Sequence, residues 1–254
     1  MINFNFDDSR YSRQLAMPEW GLDRQKLLSK SNVAVIGAGG VKTTLLTALT
    51  AAGVGQITIF EFDTIELSNL NRQTLFTTKD IGKSKGEIAV RRLRAINPDI
   101  SINWVNAMIE TDNIGKLLNG FDFIVEGGDS PAGRNLVNTY CLDSGTPYTH
   151  ASAQFNYGYC FTVVPKLKTA CFACFFPNDY KRIKSTGAVP VSALSTQIAG
   201  SIGANEVIKY LIGYQKNLLT NKMLRFSSLF LSEKFSIEKQ KRDKDCPICS
   251  KYYL

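Results

Sequence analysis

Val33-Ala34-Val35-Ile36-Gly37-Ala38-Gly39-Gly40-Val41-Lys42-Thr43 is the stretch that decides the fold. Its first four residues are an unbroken apolar run of the kind that forms a buried strand. The glycines form a tight turn, and Val41 to Ala52 continues as a helix. In that order the backbone can come within contact distance of a phosphate, while the first N–H groups of the helix point at the anion. A second apolar strand, Ile57 to Phe60, ends at Glu61, about where a dinucleotide-type fold carries the acid that holds ribose hydroxyls. Gly37, Gly39, Gly40 and Glu61 are therefore read as nucleotide-binding residues. Taken alone, the turn is equally compatible with a purely structural role, because Lys42 replaces the third glycine of G-x-G-x-x-G. A P-loop is rejected: Lys42-Thr43 imitates its ending, but Val41 stands where that loop needs glycine.

The chain has 254 residues, enough to bury a full core as one large α/β domain without cross-links. No apolar run approaches the roughly 18 residues of a membrane span. Met1 to Arg10 carries no apolar signal core, so the expected location is the cytoplasm. The net charge of +8 is spread along the chain and not gathered on one element with interleaved aromatics, which argues against nucleic acid and suits an anionic partner. Four of the six cysteines form two C-x-x-C pairs, Cys171/Cys174 and Cys246/Cys249. In a reducing compartment such pairs mean metal before disulfide, and four thiolates make a closed, structural zinc site. Cys141 and Cys160, in apolar surroundings, read as ordinary buried thiols.

Around these features the chain alternates strand and helix, which predicts a doubly wound, Rossmann-like, mostly parallel sheet with a C-terminal zinc-clipped extension. One domain is expected, with an N-terminal arm over 10–30, a nucleotide-binding core over 31–165 and a zinc-knuckle part over 166–254. Asp63, Asn69 and Arg72 fall at the carboxyl end of the second strand, where ligands of open α/β sheets bind. Lys85 opens a helix whose apolar positions Ile88, Val90, Leu93 and Ile96 share a face. A lysine there is unfavourable unless an anion is close, so it reads as a phosphate ligand. Asp129, after Gly127-Gly128 at another strand end, faces the same crevice and suits a phosphate-bound Mg²⁺. Two readings of Lys42 stay open: its ammonium reaches a phosphate, or it points to solvent. His150, the only histidine, rules out His-based clusters by being single; with no motif around it, it stays unassigned and no hydrolase set can be assembled.

Six motifs in order carry a resemblance to the ThiF/MoeB/HesA adenylyltransferases, bacterial relatives of ubiquitin-activating enzymes. They are Arg10-Tyr11-x-Arg13-Gln14, Gly37-x-Gly39-Gly40, Ser68-Asn69-Leu70-Asn71-Arg72-Gln73, Ile81-Gly82-Lys83-x-Lys85, Asp129 and the paired C-x-x-C knuckles. The resemblance spans roughly Arg10 to Cys249. It implies MgATP-dependent adenylation of a carboxylate on a small ubiquitin-like sulfur carrier or a ribosomally made peptide, with release of pyrophosphate. Tyr140 to Cys174 is similar to the branch that modifies ribosomal peptides, as in microcin C7 biosynthesis, where the activated acyl group can pass to nitrogen in amide or ring formation. By the same resemblance Arg72, Lys85 and Mg²⁺ on Asp129 offset charge, Glu61 binds ribose, Asn69 orients phosphate, and Arg13 reaches across a homodimer interface into the partner's site. Lys42 and Thr43 depart from the family pattern. Lys181 to Pro190 carries no cysteine where some members have an acyl-accepting thiol, which implies no thioester intermediate. The competing readings are a nicotinamide-dependent oxidoreductase and a non-catalytic zinc-stabilised binding module.

Overall fold

The computed structural model describes residues 10–128, 130–178 and 190–253. Asp129 and the stretch 179–189, which contains most of the loop Lys181 to Pro190, lie outside the described residues. In chain order the elements are α1 (Ser12–Leu15), α2 (Gly21–Lys30), β1 (Asn32–Ile36), α3 (Gly40–Ala52), β2 (Gln56–Phe60), α4 (Lys85–Ile96), β3 (Ser101–Val105) and α5 (Ile114–Leu117). They continue with β4 (Phe123–Glu126), α6 (Pro131–Ser144), β5 (Tyr148–Gln154), β6 (Tyr157–Val163), α7 (Phe172–Phe175), α8 (Ala193–Leu211), β7 (Lys222–Ser227) and β8 (Phe235–Lys239).

One eight-stranded sheet runs β3-β2-β1-β4-β5-β6-β7-β8. The strands from β3 to β5 are parallel, and β6, β7 and β8 are added antiparallel. Successive side chains in the central strands feed opposite cores, as the strand period requires. Val33 and Val35 join Ile57, Ile59, Phe123 and Val125 under α2, α3, α4 and α8. Ala34 joins Phe60, Ile124, Tyr148 and Phe161 under α5, α6 and α7. Both faces are therefore covered, and the apolar runs of β1, β2 and β4 follow from that double burial. The expected doubly wound sheet is present.

Two strands were not anticipated. In β7 the burial order is not a strict alternation, and in β8 every residue is exposed, so neither carries the period-2 pattern that marks a half-buried strand. The chain order reverses between the neighbouring strands β1 and β4. That switch point opens a crevice at the carboxyl ends of the parallel strands.

Candidate functional site

The glycine turn bridges β1 and α3 at this crevice and is bolted to the end of β2. Gly37 N–H donates to the Phe60 carbonyl (2.8 Å) and Ala38 N–H to Glu61 Oε2 (2.6 Å). Glu61 is buried, and its Oε1 accepts the N–H groups of Phe62 and Asp63, both at 2.9 Å. A carboxylate offers about four acceptor positions, and three are used here, one by the glycine turn and two by the segment that follows β2. Gly37 has a φ of +89°, and a Cβ there would meet no atom within 4 Å. No side chain caps the N-terminus of α3, whose N-cap is Gly39. An uncapped helix start behind an open turn fits a phosphate group. At Gly40 a Cβ would come within 3.1 Å of the Arg72 stem and 3.0 Å of Thr196, so a side chain would push the arginine and α8 away.

Asp63, Thr64, Glu66, Asn69, Arg72, Gln73 and Lys85 line one cavity of about 250 Å³. Local backbone pairing brings them together. Ile65 N–H donates to the Lys83 carbonyl and Lys85 N–H to the Asp63 carbonyl, which sets Asp63 beside the start of α4. Lys85 is buried, and its Nζ lies 3.1 Å from Asp63 Oδ2. The carboxylate offsets the helix dipole that disfavours a cation at this position. Asn69 Oδ1 and Glu66 cap each other's backbone N–H across one tight turn. Arg72 is held by donation from Nη1 to the Ser68 carbonyl (2.8 Å) and to Asn71 Oδ1 (3.0 Å). Gln73, the last residue of the Ser68–Gln73 run, is buried with Oε1 lacking any hydrogen-bond partner among the described residues, an unmet polar atom on the cavity wall.

The sequence matches the ThiF family over residues 11–248. The chain belongs to the ThiF family. Its sulfur carrier protein adenylyltransferase relative from Thermus thermophilus is 33% identical over 94% of this chain and 90% of its own length. The sulfur carrier protein ThiS adenylyltransferase of Escherichia coli is 30% identical over 96% and 95%. Among solved structures, E. coli MccB superposes with a TM-score of 0.84 at 28% identity, covering 96% of this chain and 75% of MccB. MccB has also been crystallised with ATP and with N-formylated MccA. The chain is an adenylyltransferase of this family, which removes the oxidoreductase and the non-catalytic module as readings.

Lys42, a departure from the ThiF pattern, does not point to solvent. It is 3% exposed and donates from Nζ to the Glu126 carbonyl at the end of β4 (3.0 Å). Parallel pairing sets Glu126 directly opposite His150 of β5, and His150 Nδ1 is hydrogen-bonded to Glu126 Oε2. Burial alone would raise the Glu126 carboxyl, but His150, with Arg134 and Lys42 behind it, outweighs burial and holds it at about 2. The fully buried imidazole is pushed below its ordinary value by desolvation, against the pull of Glu126. An ionised carboxylate only accepts, so Nδ1 presents its N–H to Glu126. The wide sequence separation of Glu126 and His150 leaves no local motif by which to find the pair.

The cysteine pairs meet under the other face of the sheet. Cys171, Cys174, Cys246 and Cys249 are buried with their sulfur atoms all within 4.8 Å of one another, an arrangement that suits one metal ion. Cys141 and Cys160 are also fully buried. Desolvation raises both thiols, Cys160 to about 12, so neither offers a thiolate. The start of the N-terminal arm lies at the far end of α3: Gln14 Nε2 donates to the Ala52 carbonyl (2.8 Å), and Asn97 donates to the Tyr11 hydroxyl. Arg13 is exposed there. Among the described residues, no helix is long and apolar enough to cross a membrane.

Proposed function

We propose that the chain catalyses MgATP-dependent adenylation of a carboxylate, borne by a small ubiquitin-like sulfur carrier or a ribosomally made peptide, with formation of an acyl-adenylate and pyrophosphate. The observation that carries this reading is one cavity lined by Arg72, Lys85, Asp63 and Asn69, with the Arg72 stem against Gly40 at the uncapped helix start behind the open glycine turn. A carboxylate attacking the α-phosphorus approaches a polyanion, so preorganised positive charge must offset repulsion and stabilise oxygens that gain charge in the transition state. Arg72 and Lys85 supply that charge, Asn69 orients phosphate, and Glu61 faces the ribose with its remaining acceptor position. Mg²⁺ would be held by Asp129, where it would draw charge from the phosphate oxygens. Zinc on the four knuckle thiolates would serve structure and not chemistry.

The test is ATP–pyrophosphate exchange with candidate carriers and candidate peptides in separate reactions. Exchange that appears only with an added carboxylate substrate is expected; none with either class would overturn the reading. Mass spectrometry of the same mixtures should find the chain unmodified, since Cys141 and Cys160 are buried and protonated. A thiol-labile adduct on either would place the chain among the thioester-forming enzymes.

The same reading assigns Arg13 to the partner's site in a homodimer. Supporting this, α3 has 13 residues and so separates the arm from the glycine turn by about 20 Å, too far for Arg13 to serve its own crevice. Mixing Arg13→Ala subunits with Asp129→Ala subunits should restore about one working site per mixed dimer. No recovery on mixing would mean a site complete within one chain.

A further inference from the structure

Under the loop that follows β4, five residues close a ring of hydrogen bonds. Gly128 N–H donates to Glu126 Oε1 (2.8 Å), and Glu126 Oε2 accepts from His150 Nδ1. His150 Nε2 pairs with the Tyr159 hydroxyl (3.3 Å), which lies 3.5 Å from Arg134 Nη1. Arg134 Nε returns to the Gly128 carbonyl (2.7 Å). With Nδ1–H turned to the carboxylate, the Tyr159 hydroxyl can give its proton to Nε2 and receive from the guanidinium. Both polar groups of a single loop residue, Gly128, are thus held by side chains from β4 and α6, which are in turn held by β5 and β6.

The ring is backed on its other sides. His150 stacks between Tyr159 and Phe161, with centroids 5.4 Å and 5.2 Å away. Lys42 ties the Glu126 carbonyl to α3. Gly127 has a φ of +149°, and a Cβ there would fall 2.4 Å from Lys42 Nζ and 2.5 Å from the Ala151 carbonyl, so only glycine allows this approach. Burying a carboxylate, an imidazole and part of a guanidinium is costly, and apolar side chains would hold the sheet at lower cost. The expense falls at the strand end that opens on the crevice, and the residue it fixes directly precedes Asp129 in the sequence.

We infer that Glu126, His150, Tyr159 and Arg134 form a positioning ring that fixes the loop leading into Asp129, with His150 and Tyr159 acting on adenylation through Gly128 and not through contact with substrate. This rests on the adenylation reading proposed above. Tyr159→Phe removes one hydroxyl and keeps the aromatic stack, while His150→Leu opens the ring at its centre. Supporting groups of this kind typically alter activity by about 10-fold or more. Each variant is therefore expected to lower kcat for ATP–pyrophosphate exchange by about that factor, with KM for ATP within about twofold and the melting temperature close to wild type in Tyr159→Phe. His150→Asn keeps a donor near the Nδ1 position and should recover part of the loss. In labelled protein, the Gly128 amide should exchange with solvent faster in both Tyr159→Phe and His150→Leu. Unchanged kcat in both, or a loss that only tracks thermal stability and is not rescued by asparagine, would overturn the inference. Should wild-type protein show no exchange with any substrate, the adenylation reading fails, and the Gly128 amide still decides whether the ring holds the loop.

Discussion

Arg72→Ala is expected to lower ATP–pyrophosphate exchange about 100-fold or more, equivalent to roughly 2.7 kcal/mol or more of transition-state stabilisation. The guanidinium is already immobilised by the Ser68 carbonyl and Asn71 Oδ1, and its stem lies against Gly40 at the start of α3. It therefore needs little reorganisation to meet charge developing on a phosphate, which is the condition under which one donor is worth this much. The side chain is half-buried and outside both main cores, so the melting temperature should stay near that of the wild type. Arg72→Lys keeps the charge but loses the planar fork and should fall between the two. Exchange at the wild-type rate in the alanine variant would remove Arg72 from the site; a loss that follows unfolding would make its role structural.

The parts of the molecule legible in the sequence are those fixed by neighbours along the chain. β1, β2 and β4 announce themselves because burial on both faces demands unbroken apolar runs. The start of α4 at Lys85 and the pairing of the two knuckles were likewise readable, since helix starts and C-x-x-C pairs are local patterns. What escaped depends on register and rotation. The destination of Lys42 follows from which face α3 turns toward β4, and both Val41 and Lys42 fit the helical pattern equally. Glu126 and His150 meet only because β4 and β5 pair in parallel with those two residues opposed, and no single-strand pattern encodes that alignment. The exposed β8 lacks the alternation by which a strand is found, since its pairing with β7 supplies the backbone bonds without burying a face.

Loss of the zinc that the four-cysteine cluster would hold is expected to have the largest effect on stability. The contacts Cys171–Cys174, Cys171–Cys246 and Cys174–Cys249 measure 3.9, 3.7 and 3.6 Å between sulfurs. A tetrahedron built on zinc–sulfur bonds of about 2.3 Å has edges of roughly 3.8 Å, whereas a disulfide requires about 2.05 Å. The geometry fits one zinc per chain, which elemental analysis of protein purified without chelator should find. Cys171 and Cys174 bracket Phe172, and Phe175 follows them; Phe175 stacks on Phe161 at 4.2 Å and Phe172 lies 5.7 Å from His150. The cluster thus anchors the C-terminal segment to the same aromatic core that supports the Glu126–His150 pair. Structural zinc contributes on the order of 10 kcal/mol of binding free energy, comparable to the whole stability of a domain, about 5–15 kcal/mol. Cys246→Ser should therefore lower the melting temperature by about 10 °C or more and open the exposed chain around Lys239 and Lys241 to limited proteolysis. At temperatures where the variant is still folded, exchange activity should fall less than stability does, because the cluster lies across the sheet from α3 and the glycine turn. Metal-free protein with the melting curve of the wild type would leave the four cysteines as packed thiols and return the anchoring to the aromatic core alone.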